Sequence, residues 1–498
     1  MKRRVAIAVG AVAIALVATA CAPAGGSGAG AGGTLRIGIP GGSSATVIDP
    51  YTFSDPFGAT MALGIGESLV NFDVNSKKYN ELAESWDSNK DKTVWTAKLR
   101  QGVKFNNGKR FVADDVVATF DYIFNPDIAS PFSFPLLPVI TSVTAVDDET
   151  VKFTLTQPVG WFEELVAGLP IIPRGFDSSK PVFVSAYKVQ SINPGVDVTL
   201  VRDKNYYGDK PIVNKVVFVA LNDNDGRVNA LLSGQVDVIT SLPPARVPEL
   251  RSNSQFKVLS LPSGSPNVLG VRTDEGITAD PRVREAIRLG VNRKEVLDVV
   301  YAGEGRLGND LIGIDDPAYD HSLVRKQDVA KAKKLITEAG VEGADLPITV
   351  VAGNPEEAFV QVVARNLREI GLNATVNAVD NGVLLESYGQ WQAWSYPSAA
   401  QTVMSAGLNL ASTGPDNDTH WNDPEWTAAW EKAYVASDKD RGQYTDAMQK
   451  AVFDRGGLTI PAFGNSLWAG SQKVKGWPKA DPTNVQIFKN LAKFSIAG

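Results

Sequence analysis

Trp391, Trp394 and Tyr396 fall within six residues, in the run GQWQAWSYPSA from Gly389 to Ala399, and seven of the ten tryptophans lie from Trp391 onward. Flat rings set this densely can stack on sugar faces or on the apolar side chains of a bound solute. Strand geometry limits how many can do so. Alternate residues face opposite sides, so at least one of Trp391 and Trp394 is expected to point into a core. Trp426, Trp430 and Tyr434 recur every four residues after Asp423-Pro424, the spacing of one helical face, and are expected to pack inside. Arg272 could grip a carboxylate or the backbone carbonyls of a bound molecule, or face solvent at a strand end.

Catalysis finds little support. There is no Gly-x-Ser-x-Gly elbow, no phosphate-cradling loop with its lysine and no paired-histidine motif. The run GGSSAT from Gly41 to Thr46 is rich in glycine and serine but lacks that lysine, so it reads as a loop after the first strand. Carboxylates are plentiful, yet none can be paired from sequence. The chain therefore reads as a non-enzyme. Its two histidines, His321 and His420, and its single cysteine, Cys21, give no metal cluster and no internal disulfide, and no cofactor is expected.

Cys21 has a place of its own. It follows a segment that begins with Lys2, Arg3 and Arg4, continues as an apolar run from Val5, and ends in the small residues Ala18, Thr19 and Ala20. That run is short against the roughly 20 residues of a bilayer crossing, so residues 1–20 read as a secretory signal. A cysteine at the cleavage point resembles the bacterial lipobox, with Ala18 where leucine is usual. The resemblance implies a lipidated thiol, whose two acyl chains suffice for stable attachment. Residues 21–33 follow as an anchored flexible tether, APAGGSGAGAGG after the cysteine. Loss of the three basic residues takes the net charge from −6 to −9, which leaves no basic footprint for nucleic acid.

The elements that must position these residues alternate between strand and helix, which argues α/β architecture with mixed sheets. About 465 residues are enough for two or three domains. Val94 to Leu99 alternates as a half-buried strand, Asn107-Gly108 is a tight turn, and Ala113 to Phe120 has helical spacing. Ile140 to Val146 and Val151 to Leu155 form a hairpin across Asp147 to Thr150. Strands from Asp197 and over Val213 to Leu221, a helix from Asp225 to Leu232 stopped by Gly234, and a strand from Val236 to Thr240 make a crossover unit. A second lobe begins near Pro266. In it Asp280-Pro281 and Asn292 to Glu295 start helices. Leu346 to Ala352 reads as a strand, Asn354-Pro355 opens a helix closed by Gly371, and Ala374 to Val379 returns as a strand, the parallel crossover being right-handed by the usual rule.

Several of these stretches carry a family resemblance. The run LRQGVKFNNGKRFVADDVV starting at Leu99, with ESW at Glu84 to Trp86 before it, resembles the signature of family 5 extracellular solute-binding proteins. In order along the chain, Asp49-Pro50, KNYYGDKP from Lys204, LLSGQVDV from Leu231, DPRVREAI from Asp280, AKKLITEAG from Ala332, WNDPEW from Trp421 and VKGW from Val474 are similar to further segments of that family. The resemblance implies the class II periplasmic-binding-like fold, two lobes built from three domains. Residues 34–60, 185–262 and 477–498 would form domain I, residues 61–184 domain II inserted in the same lobe, and residues 263–476 domain III, the second lobe. Hinges are expected near Leu261 to Pro266 and near Gly476.

The same resemblance implies an extracytoplasmic, monomeric protein on the outer face of the cytoplasmic membrane. It would close on a solute, most often an oligopeptide, and deliver it to an ATP-binding-cassette (ABC) permease. Tyr51 and Phe53 fall where the first strand of lobe one meets the cleft, so the expected ligand-binding set is Tyr51, Phe53, Arg272, Trp391, Trp394 and Tyr396. Two departures bear on cargo. The aspartate with which peptide binders of the family pair a terminal ammonium is replaced by Trp394, or by Gln392 in a shifted alignment, and a buried ammonium without a partner charge is costly. Ser185-Ala186-Tyr187 replaces a Gly-Pro-Tyr turn, and Arg272 stands where asparagine is frequent. An oligosaccharide or another neutral or apolar solute is the alternative cargo, and a ligand-sensing lipoprotein the alternative role.

Overall fold

The computed structural model describes residues 32–52, 56–354, 356–387, 390–411, 414 and 417–497; the expected signal segment, Cys21, most of the tether and Phe53 lie outside them. Local signals set the elements where the spacing predicts them. Strand Val94–Leu99 leads to a turn in which Gly108, at φ 87°, donates its N–H to the Phe105 carbonyl at 2.8 Å, and helix Ala113–Phe124 follows. Asp280 caps helix Pro281–Gly290 by accepting from the Arg282 N–H at 2.8 Å. Asn292 caps Arg293–Val300 in the same way through Glu295, at 3.0 Å. In each case a side-chain oxygen satisfies an amide that the first turn leaves without a partner.

Two large sheets define the two lobes. The first has seven strands in the order Phe256–Leu261, Ser466–Ser471, Val238–Ile239, Thr34–Ile39, Lys215–Ala220, Asp197–Arg202 and Tyr187–Asn193. Thr34–Ile39 lies parallel to both Lys215–Ala220 and Val238–Ile239, so the helix Asn224–Leu232 carries the chain across it, as a crossover requires. The second sheet has five strands, Asn373–Val379, Asp345–Val351, Ala393–Pro397, Asn267–Val271 and Leu458–Thr459. Its first two are parallel and joined by helix Glu356–Glu369, whose Phe359, Val360, Val363 and Leu367 are buried in the core of this lobe. A four-stranded antiparallel sheet, Ala83–Ser88, Val94–Leu99, Thr150–Leu155 and Ile140–Asp147, forms the inserted subdomain.

The outgoing crossing between the two sheets runs from Leu261 to Asn267. The return crossing is not near Gly476. Leu458–Thr459 still pairs in the second sheet, whereas Ser466–Ser471 lies antiparallel between Val238–Ile239 and Phe256–Leu261 in the first, so the chain returns over Ile460 to Asn465. The reason is burial: four consecutive residues, Leu467 to Gly470, are covered in that sheet, which takes a nearly continuous apolar strand. The end of the return crossing is tied to the strand that leads into the outgoing one, Asn465 donating to the Ser260 hydroxyl at 2.8 Å.

The lobes also meet away from the crossings. Helices Pro424–Val435 and Asp438–Arg455 of lobe two lie against the inserted subdomain, where Trp161 packs edge-on to Tyr434 and Trp430 with ring centroids 5.9 and 6.4 Å away. The Gly160 N–H donates to the Tyr434 carbonyl at 2.8 Å. Trp426 and Trp430 are stacked at 5.7 Å, so the four-residue repeat is a core face, as its spacing predicts. Among the described residues no helix is long and apolar enough to cross a membrane.

Candidate functional site

In an open sheet with parallel strands, the crevice beyond the strands' C-terminal ends is where ligands settle. Lobe one has a cavity of about 550 Å³ there, beyond Thr34–Ile39 and Val238–Ile239. Ile39, Gly41, Phe57, Ser241, Trp468 and Asn484 help to line it. Its backbone is shaped by left-handed residues, Gly41 at φ 112°, Ser241 at 51° and Asn484 at 60°. The floor is fixed to the crossing. The Ser466 hydroxyl donates to Asp481 at 2.7 Å and accepts from the Trp468 indole at 2.9 Å, while the Asp481 N–H donates to the Pro262 carbonyl at 3.0 Å. Burial pushes the Asp481 carboxyl above the usual range.

Lobe two presents a second cavity, of about 260 Å³, with Tyr396, Ser398, Gln401, Asn409, Asn417 and Leu458 in its wall. Tyr396 lies at, and Ser398 just beyond, the end of strand Ala393–Pro397 that pairs with Asn267, next to the outgoing crossing. The Ser398 N–H donates to the Pro266 carbonyl at 2.9 Å. Gly264 brings the two sides together: a Cβ there would stand 3.2 Å from Ala400 of lobe two and 3.4 Å from the Pro482 carbonyl of lobe one. The two cavities thus flank the same crossing segment, one in each lobe.

A third cavity, about 120 Å³, lies between the seven-stranded sheet and the inserted subdomain, with Glu67, Glu81, Tyr206 and Lys489 in its wall. Burial, and then the neighbouring Glu81, push the Glu67 carboxyl up to about 8 against the two tyrosine hydroxyls, Tyr206 and Tyr207, that donate to it. Glu81 accepts from the Ser68 N–H at 2.8 Å and hydroxyl at 2.9 Å, and Lys489 donates to Asn71 at 2.7 Å. This joint is internally satisfied and does not face the crossing.

Of the six residues expected to bind ligand, five are described, and these five line no common cavity among those given above. Tyr396 is half-buried and lines the lobe-two cavity. Trp394 is 0% exposed; its indole lies over Gly270, where a Cβ would come within 2.9 Å of the ring, so it backs the sheet instead of lining the cavity. Trp391 precedes the strand and is half-buried. Arg272 is held within the chain by Asp274, through two bonds of 2.8 Å, and by Glu275 at 3.1 Å. The bond from Arg272 holds the Asp274 carboxyl down to about 2. Tyr51 is wholly buried, its hydroxyl donating to the Pro170 carbonyl and its ring 5.9 Å from Phe132. Phe53 lies outside the described residues.

Phe57, Ser241, Trp468, Asn484 and Gln401 were not singled out from sequence. One signal pointed toward them: the glycine-rich loop at Gly41 follows the first strand, and a loop after a central parallel strand edges the crevice. The left-handed turns at Ser241 and Asn484 carry no such signal, since neither residue type demands that conformation. Among the described residues no group of three or more His, Cys, Asp or Glu is placed to hold a metal.

The family model described as bacterial extracellular solute-binding proteins, family 5, middle, matches residues 77–422. The glutathione-binding protein GsiB of Pectobacterium atrosepticum is 27% identical over 469 residues, 88% of this chain and 90% of the relative. Among solved structures, the ABC transporter substrate-binding protein CtaP of Listeria monocytogenes superposes with a TM-score of 0.84 at 24% identity, covering 94% of this chain and 100% of that one. The periplasmic binding protein DppA of Helicobacter pylori, in complex with the peptide STSA, does so with a TM-score of 0.77 at 22% identity, covering 94% and 98%. With two lobes joined by paired crossings, cavities on both sides of them and a family match over more than half its length, the chain belongs to family 5 of the bacterial extracellular solute-binding proteins.

Proposed function

We propose that this protein is an extracytoplasmic lipoprotein, anchored through Cys21, that captures an oligopeptide between its lobes and delivers it to an ABC permease. The observation that carries the reading is the pair of cavities flanking one crossing segment, because a solute held by both would bias the lobes toward the closed arrangement by its differential affinity for it. The chemistry of the walls, mostly hydroxyls, amides and apolar groups, suits a ligand recognised through its backbone or hydroxyls. The relatives point the same way, GsiB being glutathione-binding and DppA being in complex with the peptide STSA.

Mass spectrometry of the ligand released from protein purified without refolding tests the cargo directly. A peptide is expected. A released oligosaccharide or other neutral solute would favour the second reading, which rests on Trp394 and Gln392 in place of an acidic residue. Copurification with a permease is expected; copurification with a membrane sensor would favour a signalling role. The anchor is tested by Cys21→Ser, which should move the protein out of the membrane fraction, and unchanged retention would sink that part of the proposal.

A further inference from the structure

Where the inserted subdomain meets lobe two, backbone touches backbone. The Gly160 N–H donates to the Tyr434 carbonyl at 2.8 Å, and a Cβ on Gly160 would stand 2.6 Å from the Val435 carbonyl oxygen, with that of Ala436 nearer still. No side chain fits there. The nearest atoms all belong to the other lobe, so it is docking of the lobes that demands a glycine at this position. Trp161 beside it is buried against Trp430 and Tyr434, and its indole nitrogen has no hydrogen-bond partner among the described residues. Parting the seam exposes the rings but returns that N–H to water, which offsets part of the loss. A contact balanced in this way can open and close.

A second close approach leads from the seam to the lobe-two cavity. Trp430 stacks on Trp426 and sets its ring against Gly407, where a Cβ would stand 2.7 Å from Cε3. Gly407 lies in helix Val403–Leu410, and its neighbours Ala406, Asn409 and Leu410 are in the cavity wall. This helix has eight residues, too few to hold by itself, so its order depends on what covers it. Trp430 covers it on one side, and the cavity opens on another.

We propose that the seam between Gly160–Trp161 and Tyr434–Ala436 is a closure latch coupled to the lobe-two cavity: docking of the inserted subdomain orders helix Val403–Leu410 through Trp430, and cargo seated on that helix favours the docked seam. The seam, docked or parted, is the two-state element that both sides bias. By linkage each strengthens the other by the same factor. The part that concerns cargo rests on the reading that cargo is held between the lobes.

Hydrogen–deuterium exchange of the mature protein, with no solute added, tests the latch. Gly160→Val sets a side chain against the Val435 and Ala436 carbonyls and should part the seam, seen as a less compact particle in small-angle scattering. Amides of Val403–Leu410 should then exchange about ten-fold faster or more, while those of Glu356–Glu369, in the core of the same lobe, keep the parent rate. Gly407→Ala works from the other end: it should displace Trp430 and speed exchange at Trp161 to Val166 across the seam. Scattering unchanged by Gly160→Val, a parted seam with parent exchange in Val403–Leu410, or a Gly407→Ala effect confined to lobe two would each overturn the latch. Titration with the peptide STSA tests the coupling to cargo, and Gly160→Val should weaken its binding about 5- to 150-fold. Equal affinity in parent and variant would overturn that coupling. A parent that fails to bind this peptide would count against the oligopeptide reading, while exchange across the seam still decides the latch.

Discussion

Arg441 joins the two lobes at a point remote from the crossings, and its removal makes a demanding test of how they are held together. The residue is 7% exposed. It donates to Glu164 at 2.9 Å and to the Gly160 carbonyl at 3.2 Å on the inserted subdomain, and to Asp438 at 2.8 Å on its own helix. Lys78 ties the same seam, reaching Glu163 at 2.8 Å and Asp438 at 3.2 Å. Arg441→Met keeps most of the apolar stem and removes the charge, which strands the Glu164 carboxylate in a largely covered position. Breaking a buried pair from one side costs about 3 to 5 kcal/mol; because Glu164 keeps some solvent and can take up a proton, the lower end, about 3 kcal/mol, is expected at pH 7.

The pH dependence carries the sign. Burial already raises the Glu164 carboxyl above its ordinary value, with Arg441 opposing that rise. Without the arginine the folded-state value climbs further above the unfolded one. The penalty is therefore full where Glu164 must ionise and is relieved as pH falls through the folded value. Urea unfolding of parent and variant at pH 7 and pH 5 should show a deficit that shrinks on acidification, and adding Glu164→Gln to the variant should recover most of it. Small-angle scattering should show a less compact particle if the seam helps hold the lobes together. Equal stability at pH 7, or a deficit indifferent to both pH and the second substitution, would refute the argument.

Three further outcomes follow from the packing. Glu67, with a folded value of about 8 against an ordinary 4.5, takes up a proton on folding, so its contribution is full below the unfolded value and is lost as pH rises through about 8; Glu67→Gln should flatten the fall in stability between pH 5 and pH 9, and an unchanged slope would count against a protonated Glu67. Gly270→Ala places a methyl 2.9 Å from the buried Trp394 ring and should cost about 1 to 3 kcal/mol in chemical denaturation, a neutral result meaning that the indole can move. Asp310, 0% exposed, accepts from Arg293 through two bonds of 2.7 Å, from Arg325 at 3.1 Å and from the Ile460 N–H at 3.0 Å. Asp310→Asn leaves two arginines without their counter-charge and should lower stability by about 3 to 5 kcal/mol, measurable as a drop in the urea midpoint.

What the amino-acid order determined by itself was whatever depends on near neighbours. The caps at Asp280 and Asn292, the Asn107-Gly108 turn, the hairpin from Ile140 to Leu155 and the strand, helix, strand run from Asp345 to Val379 each follow from side-chain period and turn chemistry over a few residues. The every-fourth-residue aromatic face from Trp426 to Tyr434 was legible for the same reason, and its ordered motifs placed the chain in its family. Tertiary structure alone decided the rest. Trp394 is turned toward Gly270 because a residue 124 positions earlier in the chain, on the adjacent strand, has no side chain to keep it out. Arg272 is held by Asp274 and Glu275, so a cation that looked available to a ligand is bound within the chain. The return crossing falls before Ser466 because Ser466–Ser471 completes the sheet of the other lobe, a pairing between segments about 200 residues apart. The cavity walls at Ser241, Asn484 and Gln401 arise where both crossings converge, and convergence of distant segments leaves no periodic trace in any one of them.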